Sequence, residues 1–115
     1  MLERRHSDRF EVPGAMVQYQ MNGEIKNQMP LKDITNGGIR FNISHHLQKG
    51  DFIELEIEIP ENEKITVKGN VVWATNVDAA VQFLPFGTDE RYNSFESYQQ
   101  IKNLMNEYIN VVYAS

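Results

Sequence analysis

The 115-residue sequence predicts an all-β fold, an antiparallel barrel or sandwich of six short strands, followed by one C-terminal α-helix. Short stretches of alternating apolar and polar residues follow one another between residues 15 and 84, with turn residues between them. The three-to-four-residue apolar spacing of an amphipathic helix is found only after residue 87. Closely spaced strands joined by tight turns are typical of antiparallel barrels and sandwiches.

The first predicted strands form a hairpin. The stretch AMVQYQ alternates in polarity, and Asn22-Gly23 after it is a pair typical of type I′ turns. The second arm opens at Ile25 and continues through NQMPLKDI. Pro30 within this arm favours an edge position or a bulge, because proline has no N–H to donate. The third strand is GGIRFNI, followed by a loop that ends at Gly50.

The clearest strand pattern is FIELEIEIP, in which three glutamates face away from the apolar residues. The fifth strand is ITVKGNVVWAT, whose alternation places Val71 and Trp73 on one face and Thr66 and Lys68 on the other. Residues of that second face are expected to lie near the glutamate row. The sixth strand is AVQFL, after the turn NVDA. The glutamate row consists of Glu54, Glu56 and Glu58.

An amphipathic helix of roughly five to six turns is predicted at the C-terminal end. Thr88 or Asp89 is expected to cap it. Its apolar stripe is expected to pack on the barrel, with a partner surface as the alternative. The stripe comprises Tyr98, Ile101, Met105, Tyr108 and Val112, flanked by Phe95, Leu104 and Ile109. The predicted organisation is therefore an N-terminal arm over 1–10, a barrel over 11–86 and a helix over 87–115.

Composition narrows the class of protein. A net charge of −5 argues against general nucleic-acid binding, which depends on summed positive charge. The chain has no cysteine, no secretory signal pattern and no apolar run long enough to span a membrane. These features predict a cytoplasmic protein without membrane insertion. His45 and His46 lack a third ligand at zinc spacing, so no metal site is expected. No nucleophile, acid/base or phosphate-loop motif indicates an enzyme.

Two motifs stand out against this background. Three of the five arginines, Arg4, Arg5 and Arg9, lie ahead of the first strand, and Arg5 and Arg9 form the pattern R-x-x-x-R. The second motif is DITNGG, which fits the pattern D-x-T-x-x-G. By itself the arginine cluster fits a solvated tail, and TNGG fits a tight turn. Occurring together ahead of this strand series, they favour a ligand site.

The combination resembles the PilZ domain family, whose signature is RxxxR followed by D-x-S-x-x-G or N-x-S-x-x-G. The likeness continues through GGIRF, KGDFIELEIEIP, VKGNVVWA and AAVQFLPF, and so covers nearly the whole chain. It implies a six-stranded barrel with a C-terminal helix that binds cyclic di-GMP (c-di-GMP), a bacterial second messenger. Two positions depart from the family pattern. Thr35 replaces the usual serine, and Ala80 stands where many members carry glycine.

The resemblance implies roles for seven residues. Arg5 and Arg9 would grip guanine and phosphate, which suits a guanidinium because it can fork onto O6 and N7, stack on a base or hold a phosphate. A basic residue at the position of Arg4 is associated with two mutually intercalated nucleotides. Asp33 would accept hydrogen bonds from a guanine edge. The Thr35 hydroxyl would bond a phosphate or the local turn, while Gly37 and Gly38 allow close backbone approach.

The arm is expected to be mobile and to close over the nucleotide, with the signal passed to an unidentified effector protein in motility or biofilm control. The chain itself is expected to be a monomer or weak homodimer. Trp73 is assigned to the core or barrel rim, with stacking on guanine as the alternative. One rival interpretation is a PilZ-fold interaction module in motility or pilus assembly that binds no nucleotide. Another is a single-stranded nucleic-acid barrel, against which the glutamate row argues.

Overall fold

The computed structural model describes residues 9–26, 28–62 and 64–114. The predicted Arg4, Arg5 and most of the 1–10 arm lie outside the described residues. In chain order, the strands and the helix are β1 (Met16–Met21), β2 (Glu24–Ile25), β3 (Met29–Ile34), β4 (Gly38–Asn42), β5 (Phe52–Glu58), β6 (Ile65–Ala74), β7 (Asp78–Phe83) and α1 (Phe95–Ala114).

The sheet is a closed antiparallel barrel. Six strands form the ring in the order β1-β3-β4-β7-β6-β5, and β1 pairs again with β5 to close it. The short β2 adds a seventh strand beside the C-terminal end of β1. The prediction of six barrel strands followed by a helix is therefore confirmed, and closure of the ring decides between a barrel and a sandwich. Closing the ring also gives the long strands hydrogen-bonding partners on both sides.

The second arm of the first hairpin is divided into two strands. Asn22 and Gly23 have left-handed φ angles of 54° and 82°, as a type I′ turn requires, and β2 pairs with β1 after them. The chain then leaves β1 and returns as β3, which pairs with β1 only around Pro30 and Met29 before it joins β4. Pro30 thus lies near the end of a strand, as proline prefers, and a bulge follows between Leu31 and Asp33.

Alternation along the strands fills the barrel with apolar side chains, including Tyr19, whose ring meets Phe41 edge-on with centroids 5.8 Å apart. The opposite face of β5 carries the glutamate row. Glu54 pairs with Lys68 and Glu56 pairs with Thr66, so the expected proximity of these side chains is confirmed. The fully buried apolar side chains at the centre include Val17, Ile34, Ile53, Ile57 and Val67.

The helix begins at Phe95, later than predicted, and neither Thr88 nor Asp89 caps it. The cap is Ser94, whose hydroxyl accepts a hydrogen bond from the Ser97 backbone N–H at 3.1 Å. Asp89 pairs with Arg91 instead. The difference has a tertiary cause, because the chain before the helix is tied to the barrel in a non-helical conformation.

That tie is the buried side chain of Asn93. Its Oδ1 accepts a hydrogen bond from the Lys68 backbone N–H at 2.7 Å. Its amide nitrogen donates to the carbonyls of Lys68 and Leu84, both at 3.0 Å. These bonds satisfy backbone groups of β6 and of the segment after β7, so the helix starts only after Asn93.

The described part of the helix's apolar stripe packs on the barrel, as predicted. Ile101, Leu104 and Met105 belong to the buried core. Tyr98 is 40% exposed and rests against Phe86, with ring centroids 5.3 Å apart. Tyr108, Ile109 and Val112 lie outside the described side chains. In the part of the chain that the structure describes, no helix is long and apolar enough to cross a membrane.

Candidate functional site

The turn between β3 and β4 is built by one threonine hydroxyl. Thr35 Oγ1 accepts hydrogen bonds from the backbone N–H groups of Gly37 and Gly38, both at 3.1 Å. The Thr35 N–H donates to the Gly38 carbonyl at 2.8 Å. The hydroxyl expected to bond either a phosphate or the local turn is therefore used by the turn. A serine hydroxyl at this position could accept the same two hydrogen bonds.

The two glycines of this turn differ in what they permit. A Cβ at Gly38 would lie 2.1 Å from the backbone carbonyl oxygen of Val81, so a side chain there would force β4 away from β7. A Cβ at Gly37 would meet nothing within 4 Å. Gly38 is thus required for the close approach of β4 to β7. Gly37 leaves open space above the turn.

Asp33 lies just before the turn and is buried, with 4% of its surface exposed. Arg40, opposite it on β4, donates from Nε to both carboxylate oxygens, at 3.1 and 2.9 Å, and from Nη2 to Oδ2. Arg9 donates from Nη1 to Oδ1 at 3.0 Å. One buried carboxylate therefore holds two guanidinium groups, which meets the requirement that a buried charge be paired.

The electrostatics of Asp33 reflect two opposing effects. Burial raises the pKa of its carboxyl, but hydrogen bonds and charge from Arg40, and then from Arg9, outweigh burial and leave the pKa below its ordinary value. The same pairing raises the pKa of Arg40. Asp33 is therefore ionised at neutral pH, and the site carries an excess positive charge suited to an anion.

Arg9 is brought to Asp33 by a bridge between the N-terminal segment and β3. The Phe10 N–H donates to the Ile34 carbonyl at 2.9 Å, and the Ile34 N–H donates back at 3.0 Å. This exchange joins the last arginine of the RxxxR motif to the strand that carries Asp33. The two sequence motifs, separated by 24 residues, therefore meet at one ion pair.

Four strands contribute to one row across the outside of the barrel. Asp33 of β3 pairs with Arg40 of β4, Arg40 pairs with Ala80 of β7, and Ala80 pairs with Trp73 of β6. A surface cleft of about 290 Å³ opens beside Arg40, Ala80 and Trp73 of this row, lined also by Arg9, Thr35 and both turn glycines. The indole of Trp73, 39% exposed, forms one wall.

The alternation of β6 predicted Trp73 on the same face as Val71, and that placement is wrong. A bulge between these two residues adds Val72 and turns Trp73 outward, while Val71 stays buried. Of the two positions expected for Trp73, the barrel rim agrees with the structure better than the core does. Ala80, one of the two departures from the family pattern, lies between Trp73 and Arg40 in the cleft.

Five of the seven predicted residues thus come together: Arg9, Asp33, Thr35, Gly37 and Gly38. Sequence reasoning missed Arg40. A signal for it was present, because Asp33 and Arg40 stand two residues before and two residues after the four-residue turn, which makes them cross-strand neighbours in a hairpin. A strand-end aspartate that becomes buried needs such a partner.

Among the described residues, no group of acidic, histidine or cysteine side chains is arranged to hold a metal.

Comparison with known structures finds the same fold in several solved proteins. The apo structure of MrkH from K. pneumonia matches with a TM-score of 0.73 at 15% identity, covering 98% of this chain and 55% of MrkH. This chain therefore spans about half the length of MrkH. The PilZ domain of YcgR from Escherichia coli, solved with c-di-GMP, matches with a TM-score of 0.71 at 13% identity, covering 96% of this chain and 95% of that one.

A third solved structure, PlzA of Borreliella burgdorferi in complex with c-di-GMP, matches with a TM-score of 0.55 at 18% identity, covering 87% of this chain and 40% of PlzA. Identities this low show a shared fold. No curated protein sequence matches the chain significantly. The family model of the PilZ domain, however, matches residues 3–99, which include both motifs and the whole barrel. This chain belongs to the PilZ domain family.

Proposed function

We propose that this protein is a c-di-GMP receptor. The observation that carries the proposal is the meeting of Arg9 with Asp33 at the edge of the Trp73 cleft, since it joins both parts of the family signature in one place. Family membership and the c-di-GMP complexes of the YcgR and PlzA relatives support the same ligand. The described residues that line the cleft offer cationic groups and an aromatic wall, so the proposal assigns it a binding role.

Binding would proceed by exchange at Asp33. In the structure, Arg9 occupies Oδ1 through a single contact at 3.0 Å, and its side chain is half exposed. On binding, Arg9 would turn to a ligand phosphate or guanine edge, where a guanidinium can donate two parallel hydrogen bonds. Oδ1 would then accept from a guanine N–H. Trp73 would offer its exposed face for stacking on a base, which was the alternative role expected of it.

Arg5 would add a second grip on the ligand, and Arg4 would support a second nucleotide, so that the bound species is an intercalated dimer. Both residues precede the bridge at Phe10 and Ile34, so an arm anchored there can close over the cleft. Ordering a short arm costs about 1–2 kcal/mol per residue, which a few charge-assisted hydrogen bonds of about 1.5–3 kcal/mol can offset. Arm closure would present a new surface to an effector protein in the cytoplasm.

Titration calorimetry with c-di-GMP tests this function. We expect binding with two nucleotides per chain, and Arg9→Ala should weaken it by tenfold or more, roughly the cost of losing one charge-assisted contact. Arg91→Ala is the matched control, because Arg91 also pairs with an aspartate but lies on the exposed segment before the helix. Absence of heat from the wild-type protein would refute the receptor function. One nucleotide per chain would refute the dimer alone.

The alternative is a PilZ-fold interaction module that binds no nucleotide. The methyl group of Ala80 favours it, because it occupies the middle of the cleft where many relatives have glycine. Partners captured by the immobilised protein would then be the same with and without added c-di-GMP, and calorimetry would show no heat. If the wild type shows no heat, Ala80→Gly tests the cause. The variant should bind c-di-GMP only if the methyl group is the obstacle.

A further inference from the structure

The two arginines on Asp33 are held very differently. Arg40 spans both carboxylate oxygens through Nε and Nη2, whereas Arg9 makes one contact to Oδ1. The side chain of Arg40 is 36% exposed and that of Arg9 is 50% exposed. Hydrogen bonds from two nitrogens to both carboxylate oxygens pair the charge and also fix the orientation of the carboxylate plane. A single contact does not fix that plane. Arg40 is therefore the partner that sets how Asp33 is oriented.

The backbone that carries each arginine reinforces this difference. Arg40 lies in the middle of β4, which is paired on one side with β3 and on the other with β7. Asp78 of β7 adds a second negative charge that favours the charged form of Arg40. Arg9 lies ahead of β1, joined to the barrel through the bridge at Phe10 and Ile34. The backbone that carries Arg9 is therefore held by one isolated bridge, whereas the backbone that carries Arg40 is held between two strands.

When a ligand draws Arg9 away from Asp33, the buried carboxylate needs a second partner to stay ionised. A buried carboxylate left without a partner is destabilised and tends to take up a proton. A protonated Asp33 would have lost an acceptor site for guanine N–H donors. Because Arg40 stays in place, the carboxylate can remain ionised while Oδ1 changes partner.

We propose that Arg40 is a positioning residue that keeps Asp33 ionised and oriented, so that Arg9 can be exchanged for the ligand. This inference rests on the proposed c-di-GMP function. It assigns Arg40 no ligand contact of its own. Under this proposal, Arg40 affects binding only when Asp33 carries its carboxylate.

A double-mutant cycle tests the proposal, with c-di-GMP affinities measured by calorimetry for wild type, Arg40→Met, Asp33→Asn and the double variant. We expect Arg40→Met to weaken binding by about tenfold or more in the wild-type background. In the Asp33→Asn background the same change should alter affinity by less than about twofold, because the neutral amide needs no counter-charge. Arg91→Met controls for the loss of one arginine, and thermal unfolding checks each fold.

Equal effects of Arg40→Met in both backgrounds would overturn the proposal, because they would show that Arg40 acts without Asp33. Unchanged affinity in Arg40→Met would overturn it too. If Arg40→Met does not fold, Arg40→Lys replaces it in the cycle. Because lysine keeps the charge that holds Asp33 ionised but loses the fork that orients it, a smaller coupling of the same sign is expected. Failure of the wild type to bind would refute the receptor function, whereas the two results above refute the role of Arg40 while binding persists.

The pH dependence of affinity gives an independent readout. The charged groups facing Asp33 are Arg9 from the N-terminal segment and Arg40 from β4, with Asp78 of β7 facing Arg40 in turn. In Arg40→Met, Arg9 is the described cation left to oppose the effect of burial on Asp33, so we expect the affinity of the variant to fall more steeply than that of wild type as the pH is lowered. Parallel profiles for wild type and Arg40→Met would contradict the proposal.

Discussion

The β3–β4 hairpin and the β6–β7 hairpin share one backbone plan and carry different side chains. Thr75 repeats the turn of Thr35, accepting hydrogen bonds from the Val77 and Asp78 N–H groups at 3.1 and 3.0 Å. Its own N–H donates to the Asp78 carbonyl at 2.8 Å, the same distance as in the first turn. Each hairpin also has a bulge whose extra residue, Lys32 or Val72, lies three residues before the threonine.

Because the two hairpins share this turn and bulge, side chains from both lie in the same row across the barrel. The residue two before each threonine is Asp33 in one hairpin and Trp73 in the other, and its cross-strand partner is Arg40 or Ala80. Because Arg40 pairs with Ala80, the two hairpins meet in the cleft. In both hairpins, the threonine turn and the bulge place the residue two before the threonine at the cleft. The type of that residue then determines whether the position offers a charge, as Asp33 does, or an aromatic ring, as Trp73 does.

Changing the glycine that ends the first turn should have the largest effect on stability. Gly38→Ala places a Cβ 2.1 Å from the Val81 carbonyl oxygen, so we expect a loss of about 3 kcal/mol in the free energy of unfolding. The control is Gly37→Ala, which meets nothing within 4 Å and should leave stability within about 1 kcal/mol of wild type. Urea denaturation measures both. Equal losses in the two variants would show that packing of β4 on β7 is not the cause.

Removing the aromatic wall should affect the ligand more than the fold. Trp73→Ala is expected to weaken c-di-GMP binding by about tenfold, since stacking on a base contributes about 1–3 kcal/mol. Its stability should fall by less than a fully buried tryptophan would lose, because Trp73 is 39% exposed. Phe52→Ala removes an exposed aromatic side chain of β5 that is not among the residues lining the cleft, so it is the control and should bind like wild type. An unaffected Trp73→Ala would limit recognition to the Asp33 side of the cleft.

The smallest expected effects distinguish the two threonines. Thr35→Val removes the acceptor for the Gly37 and Gly38 N–H groups, which should cost about 1–1.5 kcal/mol of stability. Thr75→Val should cost about 0.5 kcal/mol, because water can reach its more exposed turn. Thr35→Ser keeps the hydroxyl and should match wild type in stability. A larger loss at Thr75 than at Thr35 would show that solvent exposure of the turn does not set the cost of losing the hydroxyl.

Much of this site could be predicted before the fold was known, and the misses have identifiable causes. The arginine and D-x-T-x-x-G motifs are local patterns, so Arg9, Asp33 and Thr35 could be assigned together. Trp73 was placed on the wrong face because a bulge interrupts strict alternation, and no residue type in VVWA signals it. The helix start was misplaced because Asn93 binds β6, a contact between segments 25 residues apart.

The sequence by itself determined the strand series, the amphipathic helix and the threonine turn, because these depend on side-chain periodicity and on hydrogen bonds within a few residues. Tertiary structure alone decided that the barrel closes through β1 and β5, that Asp33 is shared by two arginines, and that Trp73 faces Arg40 across Ala80. The physical reason is that burial and charge pairing depend on which strands become neighbours. Strand order is set by packing of the whole chain, and no local segment encodes it.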